Sequence, residues 1–184
     1  MKLFLIEWMA CLVVAATACG GMTNSNATPN PKGSATVTGT INGKPVAAND
    51  AVGTQLTVTS DGGVTVTSGT IDITSATSAC PCASTPGYST QLVLTVGVVG
   101  TVLPTMTYPL LASGGPSGSA TYLVNNPGTT LLSATSGSIT ISQASSSTTV
   151  GSFDVVFPTG DHLTGTFFAP TCAAAEAADA AACP

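Results

Sequence analysis

Six cysteines and a single histidine are the residues of this 184-residue chain best suited to chemistry. Cys11 and Cys19 fall in an apolar leader, which leaves Cys80, Cys82, Cys172 and Cys183. Structural zinc takes four ligands, with C-x₂₋₄-C spacing, and Cys80-Pro81-Cys82 is tighter than that. Thiolates are soft enough for copper, but no Met or His cluster accompanies them. No metal site is therefore expected. An even remainder of cysteines behind an export leader points instead to two disulfides. Pro81 disfavours closing the small loop between its neighbours, so each remaining pairing ties mid-chain to chain end. Such bridges close loops of roughly 90–100 residues and contribute at most ~4–5 kcal/mol each in the chain-entropy model. The stretch 173–182, AAAEAADAAA, is a good helix former that separates Cys172 from Cys183 by ~16 Å. Both bridges then require the tail to lie flat across the Cys-Pro-Cys segment. A tail that stays unordered leaves Cys183 free.

His162 follows Asp161, and serine is abundant, which invites a catalytic triad. No G-x-S-x-G elbow is present, and the pair follows the turn Pro158-Thr-Gly-Asp161. Turn chemistry accounts for it: Asp161 accepts backbone N–H bonds and His162 faces solvent. A glycosidase-type carboxylate pair has to come from Asp50, Asp61, Asp72, Asp154 and Asp161, and no spacing among them demands proximity. Asp61 belongs to the Asp61-Gly62-Gly63 turn, while Asp72 and Asp154 alternate onto polar strand faces. The D-x-D-x-D-G calcium pattern is absent. The expectation is no catalytic residue, no cofactor and no enzymatic activity. The rival reading is an envelope hydrolase acting on surface polymer, which requires His162 and an acid to converge on one serine in a pocket.

Composition narrows the field further. Only 6% of residues are charged, with three lysines and no arginine, so no row of phosphates can be neutralised and nucleic-acid binding is excluded. At 43% apolar the chain is too hydrophobic to be disordered by composition. Thr (31) and Ser (19) supply most of the polar surface. Removing residues 1–18 takes away Lys2 and Glu7, so the net charge stays at −5 (two lysines against seven acids).

The leader MKLFLIEWMACLVVAATAC has one lysine, an apolar run and small residues at its end, the layout of a secretory signal. The run before Cys19 is short of the ~20 residues a membrane-spanning helix needs. Glu7 inside it costs roughly 2.5–3.5 kcal/mol at mid-membrane, and the basic start is thin. Ala16-Thr17-Ala18-Cys19, followed by Gly20-Gly21, resembles the lipobox of bacterial lipoproteins. The family pattern prefers Leu where this chain has Ala16. The resemblance implies that Cys19 becomes the mature N-terminus and carries the acyl chains of a membrane anchor. The lack of Asp after the cysteine implies the outer membrane. Two acyl chains suffice for stable anchoring. The alternative is an ordinary signal that releases a soluble secreted domain. Residues 20–34, GGMTNSNATPNPKGS, have no apolar period and read as a tether spanning on the order of 20 Å.

From Ala35 the pattern is β throughout. Ala35–Ile41 alternates, and Asn42-Gly43 signals a hairpin into Lys44-Pro45, where the proline suits an edge strand. Further strands are expected at 54–59, 64–74, 90–99, 105–111, 119–124, 131–142, 149–157 and 162–169. Phe153, Val155 and Phe157 share one face and return through Leu163, Gly165 and Phe167. Short strands divided by Gly/Pro/Asn/Asp turns predict an all-β antiparallel sandwich, with a barrel as the alternative. Thr67–Ser75 and Thr135–Ser142 are near-repeats, which Ser/Thr-rich strands produce readily by chance.

The organisation expected is a signal over 1–18, Cys19 and linker over 19–34, a β-sandwich over 35–171 and an Ala-rich helical tail over 172–184. Lipobox, tether, the Gly39-Thr-Ile-Asn-Gly-Lys-Pro45 opening and the Gly151–Phe157 and Gly160–Phe167 strands together resemble small uncharacterised lipoproteins of Gram-negative bacteria. That resemblance implies an exported β-domain at the outer membrane or cell surface, anchored to lipid through acylated Cys19. It implies a binding or structural role and names no protein or glycan partner.

Overall fold

The computed structural model describes residues 32–75, 90–113, 115–125 and 129–171. The leader, Cys19, most of the tether, Cys80, Cys82, Cys172, Cys183 and the Ala-rich tail lie outside them.

Eleven strands form among the described residues, and no helix does. They are β1 Ser34–Ile41, β2 Lys44–Pro45, β3 Asp50–Thr59, β4 Thr65–Thr74, β5 Thr90–Val99, β6 Thr107–Pro109, β7 Ser117–Asn125, β8 Thr129–Ser133, β9 Ser136–Ala144, β10 Thr148–Val156 and β11 His162–Pro170. They make a six-stranded sheet, in the order β2-β1-β11-β10-β9-β6, and a five-stranded sheet, β3-β4-β5-β7-β8. Every neighbouring pair is antiparallel. The two sheets stack as the expected sandwich rather than closing into a barrel. Isolated parallel bridges join them at two corners, Gly53 to Thr171 and Leu110 to Gly118.

Period-2 alternation sorts the side chains. Ile71, Ile73, Leu92, Leu94 and Val96 of the five-stranded sheet are buried, as are Ile139, Ile141, Phe153, Val155, Leu163 and Phe167 of the six-stranded one. Phe153, Val155, Phe157, Leu163 and Phe167 sit inward as the sequence predicts. Asn42 (φ 52°) and Gly43 (φ 73°) make the two-residue turn between β1 and β2, both with the positive φ of a type I′ hairpin. The Ile pairs of the two near-repeats, Ile71/Ile73 and Ile139/Ile141, are buried in opposite sheets.

With few aromatics to fill the core, β10 and β11 use theirs in reciprocal cross-strand pairs. Phe153 lies opposite Gly165, and Phe167 opposite Gly151. A Cβ on Gly165 would come within 2.7 Å of the Phe153 ring and overlap the Thr36 carbonyl oxygen. One on Gly151 would come within 2.7 Å of the Phe167 ring and overlap the Thr140 carbonyl oxygen. Each ring thus covers the bare backbone of the facing glycine, and only glycine leaves it room.

The strand expected over 105–111 shortens to Thr107–Pro109, and two larger departures stand beside it. The strand expected over 131–142 is two strands in different sheets. Ala134 N donates to Ala120 O (2.8 Å) and Thr135 N to Val156 O (2.7 Å), so the chain changes ladders between adjacent residues. β3 begins at Asp50 rather than at 54. Asp50 and Gly53 are poor strand formers, but Ala51 is fully buried and Gly53 meets Thr171, so tertiary context sets the start.

Candidate functional site

Asp161 and His162, adjacent in sequence, do separate work. Asp161 lies in the β10–β11 turn, where its Oδ2 accepts from the Asn42 backbone N–H (3.0 Å) and the Thr159 hydroxyl (2.6 Å). The Asn42 amide first, then Thr159, hold this carboxyl below its ordinary value. The contact clasps the turn of the first hairpin to that of the last, 119 residues away.

His162 faces solvent from the start of β11, and its acid partner is Asp154. Nε2 lies 2.8 Å from Asp154 Oδ1, with the two side chains 53% and 62% exposed. The register sets Asp154 opposite Thr164 and Val156 opposite His162, so the pair reaches diagonally across one outward face. Alternation placed Asp154 outward in the sequence, and His162 is in phase with it one strand later. The eight-residue separation across a turn hid the pairing.

That outward face carries a row of hydroxyls. Thr36, Thr166, Ser152, Thr140 and Thr107 form one row across β1, β11, β10, β9 and β6. Thr36 and Thr166 hydroxyls are 2.8 Å apart, and those of Thr107 and Thr140 2.9 Å. A register shift between Val150 and Gly151 leaves Ser142 as an extra residue on β9. Beside it lies an open trough of about 450 Å³, lined by Ser34, Thr36, Val150, Ser152, Thr166 and Phe168 among others. Neither His162 nor Asp154 lines it, so histidine, acid and serine do not converge there.

The remaining acids are scattered. Asp50 is buried at the start of β3, Asp61 sits in the β3–β4 turn, and Asp72 lies on the outer face of β4. Among the described residues no three of His, Cys, Asp and Glu are grouped to hold a metal ion.

The segments carrying the four domain cysteines leave from one pole. β4 ends at Thr74, which pairs with Asp50 and Gln91, and Ser75 and Thr90 flank the Cys80–Cys82 segment. Thr171, which precedes Cys172, bridges Gly53 and donates its N–H to Ser147 O (2.8 Å).

The opposite pole of the five-stranded sheet is apolar. Val58, Val66 and Val99 lie in one row across β3, β4 and β5, with Leu56 one step along the same face. These four, together with Val64 and Val102, are all more than 40% exposed. Composition gave no sign of such a patch, because in strands that alternate between Val and Thr an outward Val reads like an inward one. Comparison with known proteins leaves this geometry to stand by itself: no family model matches the chain, and no curated protein or solved structure matches it.

Proposed function

We propose that this chain is a lipid-anchored envelope protein whose β-sandwich serves a non-enzymatic binding or structural role. The observation that carries it is the lipobox-type Ala16-Thr17-Ala18-Cys19, followed by a polar stretch that runs without apolar period to β1 at Ser34. Acylated Cys19 holds the protein to the outer membrane, and the tether sets the sandwich clear of the headgroups. The strand faces fit this role, since the exposed Asp154–His162 pair lies outside the trough and offers a hydrolase no assembled nucleophile. Cells labelled with palmitate should yield a labelled chain that loses its label on Cys19→Ala. An unlabelled wild-type chain overturns the anchor.

Two disulfides joining Cys80 and Cys82 to Cys172 and Cys183 accompany this reading. Their support is that Ser75, Thr90 and Thr171 deliver the chain to one pole of the sandwich. Titration of the unfolded, unreduced mature chain should find no free thiol, and four would exclude the bridges.

A further inference from the structure

We propose that the outer edge of β3, from Gln55 to Thr59, is a docking edge for a second copy of this chain, paired antiparallel about Thr57. A sheet edge with unpaired N–H and C=O groups is a template for another strand, so proteins blunt edges with prolines, lysines, bulges or very short strands. The six-stranded sheet ends on each side in a short strand, although β2 covers only Thr40 and Ile41 of β1. Its edges are β2, two residues long and made of Lys44 and Pro45, and β6, three residues ending in Pro109. β3 is ten residues long, contains no proline or lysine, and pairs with β4 without a register shift.

Half of the β3 edge is already used. Gly53 is bridged by Thr171, and the Gln55 side chain donates to Ser145 O (3.1 Å) and lies 3.3 Å from the Thr149 hydroxyl of β10. From Leu56 to Thr59 every residue is exposed.

The free groups can be assigned from the ladder. Ser60 N donates to Val64 O (2.9 Å), which makes Ser60/Val64 a hydrogen-bonded pair. Antiparallel pairs alternate, so Val58/Val66 and Leu56/Ser68 are bonded likewise, while Thr57 and Thr59 turn their backbone groups away from β4. On the far side Gly100 N donates to Thr65 O (2.9 Å), so Thr65 is committed to β5 and not to Thr59. Gly53, in phase with Thr57, is already bridged on that side at Thr171.

A second β3 can meet these groups in a two-fold register. Centred on Thr57, the two Thr57 residues exchange N–H and C=O bonds, and Gln55 of each copy faces Thr59 of the other. The same register sets Leu56 of each copy against Val58 of the other on the outer face. It thereby continues the Val99–Val66–Val58 row onto the neighbouring chain. Residue i meets j and j meets i, as a two-fold interface requires. No like charges oppose, because Thr54 to Ser60 carries none and Asp61 falls opposite the partner's glycine at position 53.

The test is sedimentation of the full chain in non-ionic detergent, with micelles in large excess over protein. Wild type should sediment as a dimer that dissociates on dilution. Val58→Lys, outward and exposed, should halve the mass while leaving the unfolding midpoint equal to that of wild type diluted to monomer. Thr57→Pro, which removes an outward N–H and the Thr57–Thr67 hydroxyl contact (3.0 Å) but no backbone bond to β4, should also give monomer. A wild-type chain monomeric at every concentration, or a dimer untouched by both substitutions, overturns the proposal. So does protection of the Thr57 and Thr59 amides from exchange in a monomer that vanishes when the chain is stopped after Thr171, since residues 172–184 would then occupy the edge.

Discussion

The outer faces of the two sheets are finished differently. The six-stranded sheet shows water rows of threonine and serine and one exposed Asp154–His162 pair, and it ends in the short strands β2 and β6. The five-stranded sheet places Val58, Val66 and Val99 in an exposed row and leaves the last four residues of β3 uncovered. Both rest on the same interior of Ile, Leu, Val and Phe, so the demands of the core do not explain the contrast. The first face carries Ser and Thr over most of its rows, with Val150, Val156 and Phe168 among them. On the second, the solvent-exposed valines are on the side that the proposed pairing of two β3 strands would cover.

Core substitutions ask first whether the two sheets depend on each other. Leu94→Ala and Ile139→Ala empty fully buried positions on facing sheets and should each cost about 2–5 kcal/mol of unfolding free energy in denaturant titrations. A common midpoint by all probes shows one cooperative sandwich, whereas separate transitions for the two variants would make the sheets independent units. Next in size is the seam between β10 and β11. Gly165→Ala forces a methyl against the Phe153 ring and the Thr36 carbonyl, and should cost about 1–3 kcal/mol. A neutral result would show that the reciprocal Phe–Gly pairs are slack.

The outward faces should respond least. Val66→Thr gives the apolar row the chemistry of the opposite sheet and should change unfolding stability by less than about 0.5 kcal/mol. Breaking the Asp154–His162 pair with His162→Gln should do no more than about 1 kcal/mol, because both side chains are well exposed. Asp161 adds a small pH signature. Its carboxyl is held below the ordinary value in the folded state, so its contribution is present above the unfolded pKa and is lost as pH falls through the lower, folded one. Thermal melts between neutral pH and about pH 3 should show this acid-side loss shrinking in Asp161→Asn. An unchanged profile would sever the link between the clasp and its titration.

Much of the fold is legible where the local pattern and the tertiary structure agree. Asn42-Gly43 needs positive φ twice and receives it, and Phe153 to Phe167 alternates inward around a turn of the usual composition. The change of sheet at Ala134–Thr135 is masked by unbroken Ser/Thr-rich β sequence. Its trace is a slip of phase, since Ala134 is buried on even numbering while Ile139 and Ile141 are buried on odd. Asp50–Gly53 is strand because it pairs with Ile71–Thr74 of β4, and Thr171, 118 positions on, lies against Gly53 from the other side. The candidate site was half legible: solvent-facing His162 and turn-bound Asp161 follow from turn chemistry, but the Asp154 partner needs the register. The exposed valines could not be told from buried ones, because strand sequence does not say which face of a sheet is covered.

The pairing of β1 with β11 also sets a schedule for folding. Thr36 and Thr166, hydrogen-bonded across this seam, stand 130 residues apart, and apart from the two-residue β2, β1 has no partner in its own sheet but β11. Contacts so distant along the chain form late, because loop-closure entropy must be met before they contribute. While the chain is being made, its first strand waits for its last, and the six-stranded sheet cannot be completed on a partial chain. A polypeptide threaded through a membrane before folding is under the same constraint, and this topology keeps the sandwich open until the final strand has arrived.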